Sequence, residues 1–84
     1  MAYQVILKRS AEKELDALQA NIRDRIIKRL LALEESPRPP RIKRLQGEES
    51  YRLRVGDDRV LYTIDDKVKK VFILAVGHRR EVYR

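Results

Sequence analysis

Two arginines, Arg52 and Arg54, stand two residues apart in the alternating run Tyr51-Arg52-Leu53-Arg54-Val55. On a strand that spacing puts them on one face, roughly 7 Å apart. Planar guanidinium forks at that separation suit neighbouring phosphates of a nucleic acid strand. An exposed sheet face also carries Arg or Lys without any such role. Arg59 follows across the short turn Gly56-Asp57-Asp58. It either joins the pair across the hairpin or bridges to Asp57 or Asp58. The closing segment adds Arg79, Arg80, Tyr83 and the single histidine, His78. Tyr83 could stack on a base or pack on the domain edge, and an unperturbed imidazole such as that of His78 has its ordinary pKa near neutrality.

Other chemistries lack their residues. One histidine cannot form a two-histidine acid–base pair, and no cysteine is present as a nucleophile or disulfide partner. There is neither a glycine-rich phosphate loop nor a spacing of metal ligands, so no metal and no cofactor is expected. Asp57-Asp58 and Asp65-Asp66 read as turn formers. Glu48, in Glu48-Glu49 just before the arginine-bearing strand, is either a proton acceptor or part of a solvated loop.

The charge distribution points the same way. The chain has 84 residues with 20 Lys and Arg against 13 acids, a net of +7. Through Ser36 there are 7 basic and 6 acidic residues; from Pro37 on there are 13 and 7. A nearly neutral half joined to a basic half is the footprint of a polyanion binder. Arg41, Lys43 and Arg44 in the connection after the prolines, with Arg80, are the candidate RNA-binding residues beside the central arginines. No apolar run approaches the ~20 residues of a membrane span, and no secretion signal precedes the first strand. A cytoplasmic location without membrane contact is the expectation.

Elements must hold these residues in place. Tyr3 to Leu7 reads as a strand. Ser10 is the expected N-cap of a first helix bearing Ala11, Leu15 and Leu18. Asn21 is the expected cap of a second helix running to about Ser36, where Pro37 stops it. Its apolar residues Ile22, Ile26, Leu30 and Leu33 form one stripe that Ile27 and Leu31 widen. The extra width means either a helix hairpin packed on a sheet or an edge covered by a partner protein. Three strands follow: Tyr51–Val55, Arg59–Ile64 and Val68–Val76. The run Val71–Val76 predicts a central strand covered on both faces, with Gly77 breaking it. Tyr3, Tyr51, Tyr62 and Phe72 are expected in the core. The order β-α-α-β-β-β implies one α+β domain over residues 1–84, with a helix hairpin on one face of a mostly antiparallel sheet.

The whole chain resembles the RelE branch of the RelE/ParE toxin superfamily. The resemblance rests on Met1-Ala2-Tyr3 leading into a strand and Ser36-Pro37-Arg38 ending the second helix. It rests further on the stretch Tyr51 to Tyr62 and, most tellingly, on Val76-Gly77-His78-Arg79-Arg80-Glu81-Val82-Tyr83. The resemblance implies a microbial-ribonuclease-like fold and a toxin of a type II toxin–antitoxin system. Such a toxin enters the ribosomal A site and cuts the messenger RNA codon there without metal, by attack of the messenger's own 2′-hydroxyl. A cognate RelB-like antitoxin holds it inactive in a hetero-oligomer. The family's site residues fall on Arg52, Arg54, Arg59, Arg79 and Tyr83. The family pattern has lysines where this chain has Arg52 and Arg54, and arginine does not give up its proton. The proton acceptor is then Tyr83, His78, Glu48 or the ribosomal RNA itself. Two rival readings are a ParE-like inhibitor of DNA gyrase and a non-catalytic RNA- or ribosome-binding module.

Overall fold

The computed structural model describes residues 2–40, 42–44 and 50–78 and, of Lys43, Arg44 and His78, the backbone. Strand β1 (Gln4–Leu7) leads into helix α1 (Arg9–Asp16) and helix α2 (Ala20–Ala32). Four strands follow: β2 (Lys43–Arg44), β3 (Ser50–Val55), β4 (Asp58–Asp65) and β5 (Lys70–His78). The sheet order is β1-β5-β4-β3-β2. All neighbours are antiparallel except β1, which runs parallel to β5 with Val5 beside Val71 and Leu7 beside Ile73. This is the expected α+β order with one addition. Lys43 and Arg44 read as connection in the sequence, yet they extend the sheet as a two-residue edge strand.

Helix α1 starts earlier than its sequence signal because the sheet fixes its entry. The Lys8 N–H donates to the Ile73 carbonyl at 2.9 Å, so strand pairing continues to Lys8 and the helix begins at the next residue. Ser10 therefore lies inside the first turn and caps nothing; Lys8 holds the extended N-cap position. Glu12 in that turn faces the positive helix end. Helix α2 likewise begins at Ala20 with Gln19 extended before it, so Asn21 is helical. It ends at Ala32 rather than Ser36. The next N–H groups, of Glu34 and Glu35, reach back three residues in tightened turns. Ser36 precedes a proline and cannot stay helical.

Both helices cover one sheet face. Ala11 and Ile26 from the helices meet Val60, Tyr62, Val71 and Ile73 from β4 and β5, all with no exposed surface. Leu33, Leu53, Val55 and Val76 complete this layer. Period-2 alternation explains the sidedness: Leu53 and Val55 are buried, while Arg52 is half-buried and Arg54 exposed. Among the described residues the opposite face carries no helix. Leu61, Thr63 and Phe72 are half-buried there, and Leu74 is 36% exposed. The expectation that β5 is covered on both faces thus fails among the described residues, and Phe72 is not a core residue. Strand β5 is apolar from Val71 to Val76 because one side faces the helices and the other floors an open surface.

Two local departures shape that surface. The β4–β5 register shifts between Leu61, which pairs with Ala75, and Tyr62, which pairs with Ile73. Leu74 is the extra residue of a bulge. Gly77 does not break β5: it pairs with Arg59, and the strand continues to His78. The β3–β4 hairpin closes through Gly56 and Asp57, with Gly56 at φ 61 in the first loop position. A II′ hairpin needs glycine there, because a Cβ disfavours positive φ.

Candidate nucleic-acid interface

The open sheet face gathers three of the arginines singled out by the sequence. Arg54 of β3 pairs with Arg59 of β4, which pairs with Gly77 of β5. Two residues along, Arg52 pairs with Leu61, which pairs with Ala75. The register also sets Lys43 of β2 beside Arg52, and Arg44 beside Tyr51. Directly opposed strand residues lie ~5 Å apart, so Arg54 and Arg59 are immediate neighbours. Arg59 is buried to 7% exposure, and its Nη1 donates to the Asp58 backbone carbonyl at 3.2 Å. Arg54 is exposed and donates from Nε to the Gly56 carbonyl at 3.1 Å. That bond draws its guanidinium toward the hairpin turn. Burying a guanidinium is costly unless it is hydrogen-bonded, so Arg59 is a fixed charge and Arg54 an accessible one. Arg52 is half-buried between them and β2.

His78 ends β5 in register with Asp58, one residue beyond the row of Arg54, Arg59 and Gly77. Arg41, Glu48, Arg79, Arg80 and Tyr83 lie outside the described residues. Among the described residues no group of three or more His, Cys, Asp or Glu could hold a metal ion.

A second polar cluster escaped the sequence reading. Arg38, just after the proline that stops α2, forms a bidentate pair with Asp66 in the β4–β5 turn at 3.2 and 2.9 Å. Its Nε donates to the Tyr51 hydroxyl at 3.1 Å. The Tyr3 hydroxyl donates to the same Asp66 at 2.6 Å. These bonds, Arg38's first and Tyr3's second, hold the Asp66 carboxyl down at about 2. Below lies Tyr62, whose ring stacks on Tyr51 at 5.7 Å and whose hydroxyl donates to the Pro37 carbonyl at 2.9 Å. Burial, with Tyr51 alongside, pushes the Tyr62 hydroxyl up to about 12. Asp57 and Asp66 lie in turns as the sequence anticipated, and Asp65 shapes its turn directly: its carboxylate accepts from the amides of Lys67 and Val68. The cluster faces away from the arginine rows and ties the post-helix loop to the sheet.

The sequence matches the family described as "ParE toxin of type II toxin-antitoxin system, parDE" over residues 5–83. The chain belongs to the RelE/ParE toxin superfamily. Solved structures sharpen the likeness within it. The archaeal RelE–RelB complex from Pyrococcus horikoshii OT3 superposes with a TM-score of 0.85 at 30% identity, covering 94% of this chain and 97% of that one. A RelBE toxin–antitoxin complex from Mycobacterium tuberculosis gives 0.83 at 30% identity, over 94% and 100%. The isolated E. coli RelE toxin gives 0.82 at 32% identity, over 98% and 92%. No curated protein sequence matches the chain at a significant level. The family description carries the ParE name, whereas these similar folds are RelE toxins. No helix among the described residues is long and apolar enough to cross a membrane.

Proposed function

We propose that this superfamily toxin is a ribosome-dependent messenger RNA endoribonuclease that inhibits translation and is restrained by a RelB-like antitoxin. The observation that carries the reading is the uncovered sheet face with Arg54 and Arg59 side by side and Arg52 one row away. A strand of RNA laid on that face meets a buried cation, an accessible cation and an apolar floor of Leu61 and Phe72. Likeness to RelE toxins over nearly the whole chain supports the same activity.

The chemistry follows from what arginine can and cannot do. The 2′-oxygen of a codon nucleotide attacks the adjacent phosphorus, the P–O2′ bond forms, and the P–O5′ bond breaks. The 2′-hydroxyl proton passes to an acceptor, and the departing 5′-oxygen takes one up. Negative charge builds on the phosphoryl oxygens in between, and preorganised guanidinium groups stabilise that charge. Arg52, Arg54 and Arg59 fill that role together with Arg79. Tyr83 stacks on a base and aligns the 2′-oxygen for in-line attack. Proton transfer falls to Tyr83, His78, Glu48 or ribosomal RNA, since the arginines stay charged. Arg41, Lys43, Arg44 and Arg80 add phosphate contacts around this centre.

The antitoxin reading has its own support. Ile27 and Leu31 on α2 are 37% and 56% exposed, an apolar edge beside the core stripe. An amphipathic, partly acidic antitoxin segment fits it. One experiment tests the enzyme: messenger cleavage in a purified translation system, with 5′ ends mapped, with and without ribosomes. The expected result is cutting inside A-site codons that needs ribosomes and is lost in Arg79→Ala and Tyr83→Ala. Well-folded wild type that cuts nothing removes the ribonuclease reading. The ParE description of the family favours gyrase inhibition as the second reading, and a supercoiling assay would then decide it.

A further inference from the structure

The open face does not end at its arginines. Where β3 turns into β4, a cleft of ≈ 610 Å³ lies between the hairpin and α2, lined by Arg29, Arg54, Gly56 and Asp57. Arg25, one helical turn before Arg29, reaches the same turn: its Nη1 lies 3.5 Å from where a Cβ on Gly56 would sit. Residues four apart on a helix are surface neighbours, ~5–6 Å between their Cβ atoms. Arg29 and Arg54 line the hollow and Arg25 reaches the glycine at its edge, so three arginines from two elements gather at this end of the hairpin. Arg25, Arg29 and Arg54 are all exposed. Among the described residues no carboxylate forms an ion pair with any of them, although Asp57 lines the same cleft. Like charges this close repel, so an unneutralised arrangement of this kind is stabilised by an anion.

We propose that Arg25, Arg29 and Arg54 form a phosphate subsite that takes the backbone of the RNA strand as it leaves the open face around the β3–β4 turn. The inference rests on the RNA-binding reading above and extends it to the opposite side of the sheet. Arg54 belongs to both surfaces. Its Nε donates to the Gly56 carbonyl, its strand position is on the open face, and it also lines the cleft. Glycine at position 56 is required by the positive φ of the turn, and a Cβ there would just touch Arg25, which shows how near that guanidinium comes to the hairpin. The ligand class is a phosphodiester backbone rather than a base: the cleft presents guanidinium forks and no aromatic ring.

The test compares binding of a three-nucleotide and a nine-nucleotide single-stranded RNA, both non-cleavable through 2′-O-methylation, by fluorescence anisotropy across a salt series. The proteins are wild type, the double variant Arg25→Gln/Arg29→Gln, and a charge-matched control, Arg9→Gln/Lys13→Gln, on exposed α1 positions. The double variant should bind the longer RNA several-fold more weakly and lower its salt slope by about 1.4, the value for two lost single-strand phosphate contacts. The control should not. Circular dichroism confirms that both variants are folded. Equal losses in variant and control reduce the effect to net charge and overturn the subsite. An unchanged affinity in the Arg25/Arg29 variant overturns it too, also if antitoxin binding is what weakens, since the cleft then belongs to a protein partner. Wild type that binds neither RNA removes the RNA-binding reading, and the subsite with it.

Discussion

Replacing Tyr62 by Phe isolates one hydrogen bond that holds the post-helix loop onto the sheet. The ring is fully buried and stacked on Tyr51, and Phe keeps both features. What is lost is the hydroxyl that donates to the Pro37 carbonyl at 2.9 Å. A neutral intramolecular hydrogen bond contributes about 1 kcal/mol net, and the half-buried Pro37 carbonyl left behind raises the cost toward ~2 kcal/mol. For a chain this small the urea m-value is about 1 kcal/mol/M, so the unfolding midpoint should fall by ~1–2 M. Urea denaturation followed by far-ultraviolet circular dichroism measures it. Tyr51→Phe is the comparison: its hydroxyl accepts from Arg38, whose side chain is 45% exposed, so its loss costs only ~0.5 kcal/mol. Because both hydroxyls anchor Pro37 and Arg38, the double variant should lose less than the two single losses added. A midpoint for Tyr62→Phe within ~0.2 M of wild type refutes the claim that this bond positions the loop.

The remaining expectations concern separate parts of the molecule. Asp66 has its carboxyl held at about 2, chiefly by Arg38 and then Tyr3. Its stabilising effect is therefore present above the ordinary carboxylate range near 4 and is lost as pH falls from ~4 through ~2; Asp66→Asn should flatten the denaturation midpoint across that window, and an unaltered pH profile would sink the assignment. At the alkaline end, Tyr62 stays protonated to about 12, so stability present below pH ~10 is lost between ~10 and ~12, and absorbance at the phenolate band should show one tyrosine titrating with unfolding. Glu14 accepts the Val76 N–H at 3.0 Å where β5 has run past the end of β1; Glu14→Leu orphans that amide at ~1–2 kcal/mol, whereas Glu14→Gln keeps an acceptor and should recover most of it by the same denaturation assay. Ile27→Glu with Leu31→Glu should leave the free toxin's stability within ~0.5 kcal/mol but weaken antitoxin binding at least ~10-fold by calorimetry; wild-type affinity would move the antitoxin off this edge.

Period-2 alternation in Tyr51–Val55 made the Arg52 and Arg54 face readable from sequence, and the apolar stripe Ile22–Ile26–Leu30–Leu33 made α2 readable in the same way. Both signals are local. The parallel pairing of β1 with β5 is not, and neither is the Lys8 to Ile73 bond that moves the start of α1 off Ser10. Two residues are too few to show a period, so β2 looked like connection until Arg52 and Tyr51 were seen beside it. Gly77 read as a breaker because glycine weakens strands in general; its place beside Arg59 depends on a register that the Leu74 bulge sets. Arg38 stood in the sequence only as the residue after a proline, and its partner Asp66 lies 28 residues away. Arg25 and Arg29 were hidden in the same manner, as ordinary helix-surface charges whose meaning depends on the hairpin docking against them.

The strand that starts the described chain lies against the strand that ends it, and this orders events in time as well as space. Hairpin β3–β4 and hairpin β4–β5 close over short loops and can zip as soon as their residues exist. Strand β1 and helix α1 must wait for β5, the last of the described strands, because their partners are Val71, Ile73 and Val76. Contacts so distant in sequence are slow to form and late. During synthesis β1 and α1 therefore stay undocked until β5 has been made. An antitoxin made at the same time therefore meets a complete sheet only once β5 exists.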